Sequence, residues 1–213
     1  MTFLNEETKR LKVKNTSKLL MAVTATTYSL TSLAHSPDKL EATFFQGLMH
    51  PITGLDHLLA MILIGLCVGV YTHKHLVNTA SFLVSLVVGM FMISFFNIPE
   101  FLIEIGVIGS LLTLGYLVTH KFRLSENLFV LCTCAFALFH GFAHVVDHGS
   151  YTHSDLLANA PYITGVTICT GVLLTFGLCL SRLSRYDLPS YSKLTGILTI
   201  SFGGILLAQL ISK

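Results

Sequence analysis

The sequence predicts an all-α, polytopic transmembrane helix bundle of six spans, preceded by an N-terminal signal peptide or anchor helix. Three observations carry that expectation. Hydrophobic residues make up 53% of the chain and charged ones 11%, against roughly 25% charged in soluble domains. Apolar stretches of about 20 residues, the length that crosses the hydrocarbon core, recur along the chain. Lys and Arg collect at alternate joints between those stretches, which sets one orientation for the whole chain. At 213 residues, a single membrane domain takes up the length and no soluble catalytic domain fits beside it.

Residues 1–34 have the layout of a secretory signal peptide. Lys9, Arg10, Lys12, Lys14 and Lys18 precede an apolar run from Leu19 to Leu33, and Ser32-Leu33-Ala34 gives a small-x-small cleavage pattern. Cleavage after Ala34 makes His35 the new N-terminus, where the α-amine and the imidazole form a chelating pair. An uncleaved anchor helix is the alternative. The domain at 35–213 then holds spans at about 44–70, 76–96, 100–119, 128–148, 162–183 and 193–211. Polar or helix-breaking residues mark the joints: Thr72 to Lys74, Asn97 with Pro99, Lys121 to Asn127, Gly149 to Pro161, and Arg182 to Lys193. Gly106, Gly109 and Gly115 in the third span, and Gly165, Gly171 and Gly177 in the fifth, suit close helix packing in lipid.

With residue 35 outside, the inner loops hold Lys74, Lys121, Arg123, Arg182, Arg185 and Lys193, and the outer segments only Lys39 and Lys213. The expected product is a multi-pass protein of the inner (plasma) membrane with both mature termini outside. The lipid bilayer is one partner. A homo-oligomer is left open. No basic patch interleaved with aromatics is present, which argues against nucleic acid. Cys67, Cys132, Cys134, Cys169 and Cys179 all lie in apolar segments without C-x-x-C spacing, so they read as small buried hydrophobes.

Ionisable groups inside such segments are costly in hydrocarbon and point to function. The first span contains His50-Pro51-Ile52-Thr53-Gly54-Leu55-Asp56-His57, followed by Met61. Pro51 removes a backbone donor and steers His50 away from the helical region, and Gly54 adds slack, so a broken or re-entrant start is expected, with Asp56 and His57 in a regular helix after the break. Met61 shares a face with His57 at i+4, as a ligand or as core filler. In the fourth span His140, His144 and His148 recur at i, i+4 and i+8, with Asp147 at i+7. All four fall on one helix face, a ladder climbing about 12 Å toward the outer surface. His50 is expected at a depth similar to His140. Glu104, about one turn inside the outer end of the third span, reaches toward the same vestibule or pairs with a buried hydroxyl or histidine. His73, His75 and His120 sit at inner loop edges and read as solvated. His153 and Asp155 lie in the outer loop.

The first motif resembles the H-P-x-x-G-x-D-H-x-x-x-M signature of the HupE/UreJ permeases, here His50, Pro51, Gly54, Asp56, His57 and Met61. The second is similar to that family's F-H-G-x-A-H-G-x-E, here Phe139, His140, Gly141, Ala143 and His144. The resemblance implies a leader, a mature N-terminal histidine, six spans and a link to nickel supply for hydrogenase and urease. Val145 departs from the family's usual glycine, Asp147 from its glutamate, and Leu174 stands where a histidine is common.

Imidazole nitrogens with one or two carboxylates suit Ni²⁺, and also Co²⁺ and Zn²⁺. The expected function is therefore a secondary permease importing a divalent transition metal, Ni²⁺ first. Its site is His50, Asp56, His57, His140, His144, Asp147 and His148, with Glu104, Met61 and His35 as further candidates. The metal is cargo, and no permanently bound cofactor is expected. Two alternatives use the same residues: an intramembrane metal-dependent hydrolase, and a metal sensor or chaperone-docking protein.

Overall fold

Every described element of the chain is helical. The computed structural model describes residues 43–120, 124–148, 159–187 and 189–212, with the side chains of 148 and 183–192 left aside. The leader, His35, Lys121, Arg123, and the outer loop with His153 and Asp155 lie outside the described residues. Seven helices follow in order: α1 (Phe44–Thr53), α2 (Leu55–Tyr71), α3 (His75–Met92), α4 (Glu100–His120), α5 (Glu126–His148), α6 (Ala160–Asp187) and α7 (Pro189–Ile211). Among the described residues there is no strand.

Five of these helices, α3 to α7, are long and apolar enough to cross a membrane one by one. The expected first span is instead two helices, α1 and α2, bent by 81°. The chain begins α1 with a capping box: the Thr43 hydroxyl accepts from the Gln46 N–H at 3.2 Å, and Gln46 Oε1 accepts from the Thr43 N–H at 2.9 Å. The break falls at Gly54, whose N–H still donates to the His50 carbonyl at 3.2 Å and whose own carbonyl starts α2 by accepting from Leu58 N–H at 2.9 Å. The break precedes the regular helix of Asp56 and His57, as expected, and the correction concerns His50. Pro51 sits inside α1 and His50 stays helical.

Two further boundaries differ from the apolar pattern. α6 runs on to Asp187 and α7 starts at Pro189, although their lipid-compatible parts are Ala160–Arg182 and Lys193–Ile211. The charged residues past Arg182 continue the helix, because hydrophobicity limits the membrane-crossing part of a helix and not the helix itself. Proline at the first position of α7 is well placed, since its missing N–H has no partner to lose there.

The most extensive contacts join α2 with α6, α4 with α7, α3 with α5, and α1 with α6. Glycines set these close approaches. A Cβ at Gly47 would strike the Tyr162 backbone, and one at Gly165 the backbone of Phe44 and Leu48, so α1 lies directly on α6. Gly65 meets Leu174 and Gly177 meets Ile62 in the same way across α2 and α6, and Gly141 meets Leu86 across α5 and α3. Gly115 and Gly196 do so across α4 and α7. Small residues let backbones touch where lipid supplies no hydrophobic drive between helices. Gly109 faces open space and Gly171 has only an ordinary contact with Leu83, so these two carry no such approach. Large apolar side chains such as Val84, Phe101, Leu131, Val172 and Leu198 stay exposed along the outside of the bundle, as expected of a multi-pass membrane protein.

Candidate metal centre

α1, α2 and α5 bring four imidazoles into one cluster. The His57 ring, on α2, is the hub: its centroid lies 4.4 Å from His144, 5.1 Å from His140 and 5.9 Å from His50. His50 is also 5.0 Å from His144 and 6.1 Å from the Tyr162 ring. The two sequence stretches therefore meet in space. Tyr162 locks the arrangement from α6, donating its hydroxyl to the His144 carbonyl at 3.1 Å.

Exposure falls along the cluster. The Asp147 side chain is 37% accessible and that of His50 16%. His57 is 4% exposed, and His140 and His144 are fully buried. His50 Nε2 lies 3.7 Å from Asp147 Oδ2, an ion-pair distance too long for a hydrogen bond. His50 thus stands beside His144 and Asp147, one turn further along α5 than the span count suggests. The bend at Gly54 accounts for the shift, because it swings α1 out of line with α2.

The nitrogens show what the cluster lacks. Asp56 Oδ1 lies 3.1 Å from His57 Nδ1. An ionised carboxylate can only accept, so His57 carries a proton on Nδ1, and in the neutral ring the lone pair is on Nε2. That Nε2 is buried with no hydrogen-bond partner, as are His140 Nδ1 and both ring nitrogens of His144. Leaving such a group unpaired costs about 1–3 kcal/mol each. A carboxylate holding one imidazole nitrogen while the other stays open is the arrangement that orients histidine ligands toward a metal. As the side chains stand, no three His, Cys, Asp or Glu residues among the described ones form a group able to hold a metal ion. Closure around an ion therefore requires the rings to turn.

Gly54 has a role beyond the bend. Its φ of −82° and ψ of 108° are open to any residue, so slack is not what glycine supplies there. A Cβ would sit 3.1 Å from Asp56 Oδ1 and 3.3 Å from His57 Nδ1. Glycine leaves room for the carboxylate–imidazole pair.

Other sequence candidates fall differently. Met61 is fully buried and belongs to the main apolar cluster. Glu104 is partly buried on α4. His148 extends α5 one turn beyond His144. Leu174, where a histidine is common in the resembling family, is 1% exposed and packs its backbone against Gly65. Sequence reasoning missed two residues, Tyr162 and Ser110. The Ser110 hydroxyl, fully buried on α4, lies 3.0 Å from His140 Nε2. Each is an ordinary residue in its own helix and becomes part of the site only through a neighbour.

The family model for the HupE / UreJ protein matches residues 22–206, which takes in both histidine stretches. The chain belongs to the HupE/UreJ family. That family is known for proteins related to nickel and cobalt transport, and it is a transporter-type rather than an enzyme family. Among curated relatives, Protein HupE of Rhizobium leguminosarum bv. viciae is 27% identical over 165 residues, covering 76% of this chain and 83% of the relative. No solved structure matches.

Proposed function

We propose that this HupE/UreJ protein is a secondary permease for a divalent transition metal, with Ni²⁺ the first cargo and Co²⁺ or Zn²⁺ its rivals. One observation carries the reading: four buried ring nitrogens, on His57, His140 and His144, have no hydrogen-bond partner. Each neutral ring has one lone-pair nitrogen, so the three rings offer three ligands for a borderline divalent metal. Asp147 and His50 form the more accessible flank of the cluster, so an ion is captured there and passes inward to His144, His57 and His140. Asp56 offsets part of its charge through His57. His148 and the His35 terminus extend the capture side.

In this reading the protein sits in the inner (plasma) membrane with His35 and the C-terminus outside. Contacts among helix ends support a common inner face. The backbone N–H of His73, between α2 and α3, donates to Glu126 Oε1 at the start of α5 at 3.2 Å. Tyr71 at the end of α2 donates to the Leu117 carbonyl near the end of α4 at 3.3 Å. Lys74 therefore shares one side of the bundle with the end of α4 and the start of α5, which flank the joint that holds Lys121 and Arg123 in the sequence. An inside-negative potential favours entry of a divalent ion by roughly 4–5 kcal/mol per 100 mV, which is enough to drive import without nucleotide. The hydrolase alternative draws on the same residues and has no observation of its own in its favour.

The test is uptake of radioactive Ni²⁺ into vesicles reconstituted with the purified protein, with a panel of competing divalent ions. Saturable accumulation that rises with an inside-negative potential is expected. Protein-free vesicles accumulating as much would overturn the proposal.

A further inference from the structure

Ser110 lies on α4, outside both histidine motifs, and its hydroxyl makes two contacts. Oγ is 2.6 Å from the Val107 carbonyl oxygen and 3.0 Å from His140 Nε2. A hydroxyl has one proton. Two oxygens approach to 2.6 Å only when a proton lies between them, whereas 3.0 Å is the ordinary separation of an N–H···O bond. If Ser110 gave its proton to His140, its oxygen and the Val107 carbonyl would face each other as bare acceptors. Ser110 therefore donates its proton to the Val107 carbonyl, and its oxygen accepts from His140 Nε2. Neutral His140 must then carry its proton on Nε2, which leaves Nδ1 as the lone pair. Nδ1 is the His140 atom that is buried and unpartnered, on a ring 5.1 Å from His57.

We infer that Ser110 is a positioning residue of the metal site: it holds His140 as the Nε2–H tautomer, so that Nδ1 is the atom offered to the cargo. The inference rests on the proposed metal-binding function. It makes the donor set mixed, with Nε2 from His57, set by Asp56, and Nδ1 from His140, set by Ser110. Two different partners on two helices thus fix the two tautomers, and they do so before any ion arrives.

The first measurement needs no metal. Nitrogen NMR of the full chain, carrying ring-labelled histidine and reconstituted in lipid, reads each tautomer, and His140→Asn assigns the His140 signals. Wild type is expected to show His140 protonated at Nε2. A proton found on Nδ1 overturns the inference. The second measurement is Ni²⁺ affinity. Ser110→Ala strands a buried N–H, so a fall of about 10–100-fold, the usual effect of removing such a partner, is expected. Ser110→Thr, whose hydroxyl can likewise reach a carbonyl one turn back, should restore most of it. Ser110→Cys keeps the size with a weaker acceptor and should fall between. Thermal unfolding of each variant separates loss of the site from loss of the fold. Wild-type affinity in a folded Ser110→Ala protein overturns the inference. Absence of Ni²⁺ binding in wild type overturns the metal-binding reading instead, and the NMR result then stands by itself.

Discussion

Two groups of histidines in this molecule meet opposite conditions. His57, His140 and His144 are buried near one end of the bundle, and their open nitrogens lack partners. His73 and His120, near the other end, are exposed. There His120 Nδ1 pairs with the Tyr116 carbonyl at 3.2 Å, and the ring stacks on Tyr116 with centroids 4.3 Å apart. His75 lies between the two cases, partly buried with an unpartnered Nδ1. The same side chain is thus satisfied by water and local groups at one end, and left wanting at the other. Desolvation without compensation opposes folding, and four of the nine such side-chain atoms found among the described residues lie in this one cluster, which is the ground for the proposed site.

Substitutions sharpen that contrast, and the largest effect belongs to the hub. His57→Ala removes the ring that touches the other three, and metal uptake should fall to background while the protein still reaches the membrane. Uptake near the wild-type level would dissolve the distinction between the groups. Asp56→Asn keeps the shape but loses the carboxylate that orients His57, and a loss of about 10–100-fold in metal affinity is expected. Asp147→Asn should cost less. Its carboxylate is 37% accessible and 3.7 Å from His50, beyond hydrogen-bond reach, and a long ion pair with an exposed partner contributes about 0–1 kcal/mol, or up to about fivefold. The reverse ranking of the two variants would move the binding site outward. Accessibility alone does not separate them, since Asp56 is 31% exposed; the difference lies in the bond each makes. The smallest change is expected at the far end. His120→Ala should shift stability by no more than about 0.5 kcal/mol and leave uptake intact. A large uptake defect there would mean that the exposed group also handles cargo.

Much of this was legible in the sequence because membrane helices advertise their limits. Asn97 and Pro99 end one span and start the next, and Pro161 and Lys193 mark others, close to where α4, α6 and the lipid-compatible part of α7 begin. The i, i+4 spacing of His140 and His144 places both on one face of α5 without any coordinates. The bend was legible from Pro51 and Gly54 together, ahead of the regular helix of Asp56 and His57, but the helical state of His50 was not. Proline marks a cost in a helix, and the neighbouring packing of Gly47 and Pro51 in α1 decides whether that cost is borne. Gly54 was misread for a related reason, since its need for space comes from Asp56 and His57 folding back over it. Ser110 and Tyr162 were not legible at all. A serine or tyrosine in an apolar span gains its meaning from the helix opposite, and no pattern within α4 or α6 names that helix.

The most direct test of the cluster as a cargo site is nickel-edge X-ray absorption on the purified, Ni²⁺-loaded protein. Two or more imidazole scatterers are expected around the ion in wild type, with at least one lost in His57→Ala. A shell of water and carboxylate oxygen alone, unchanged by that substitution, would contradict it.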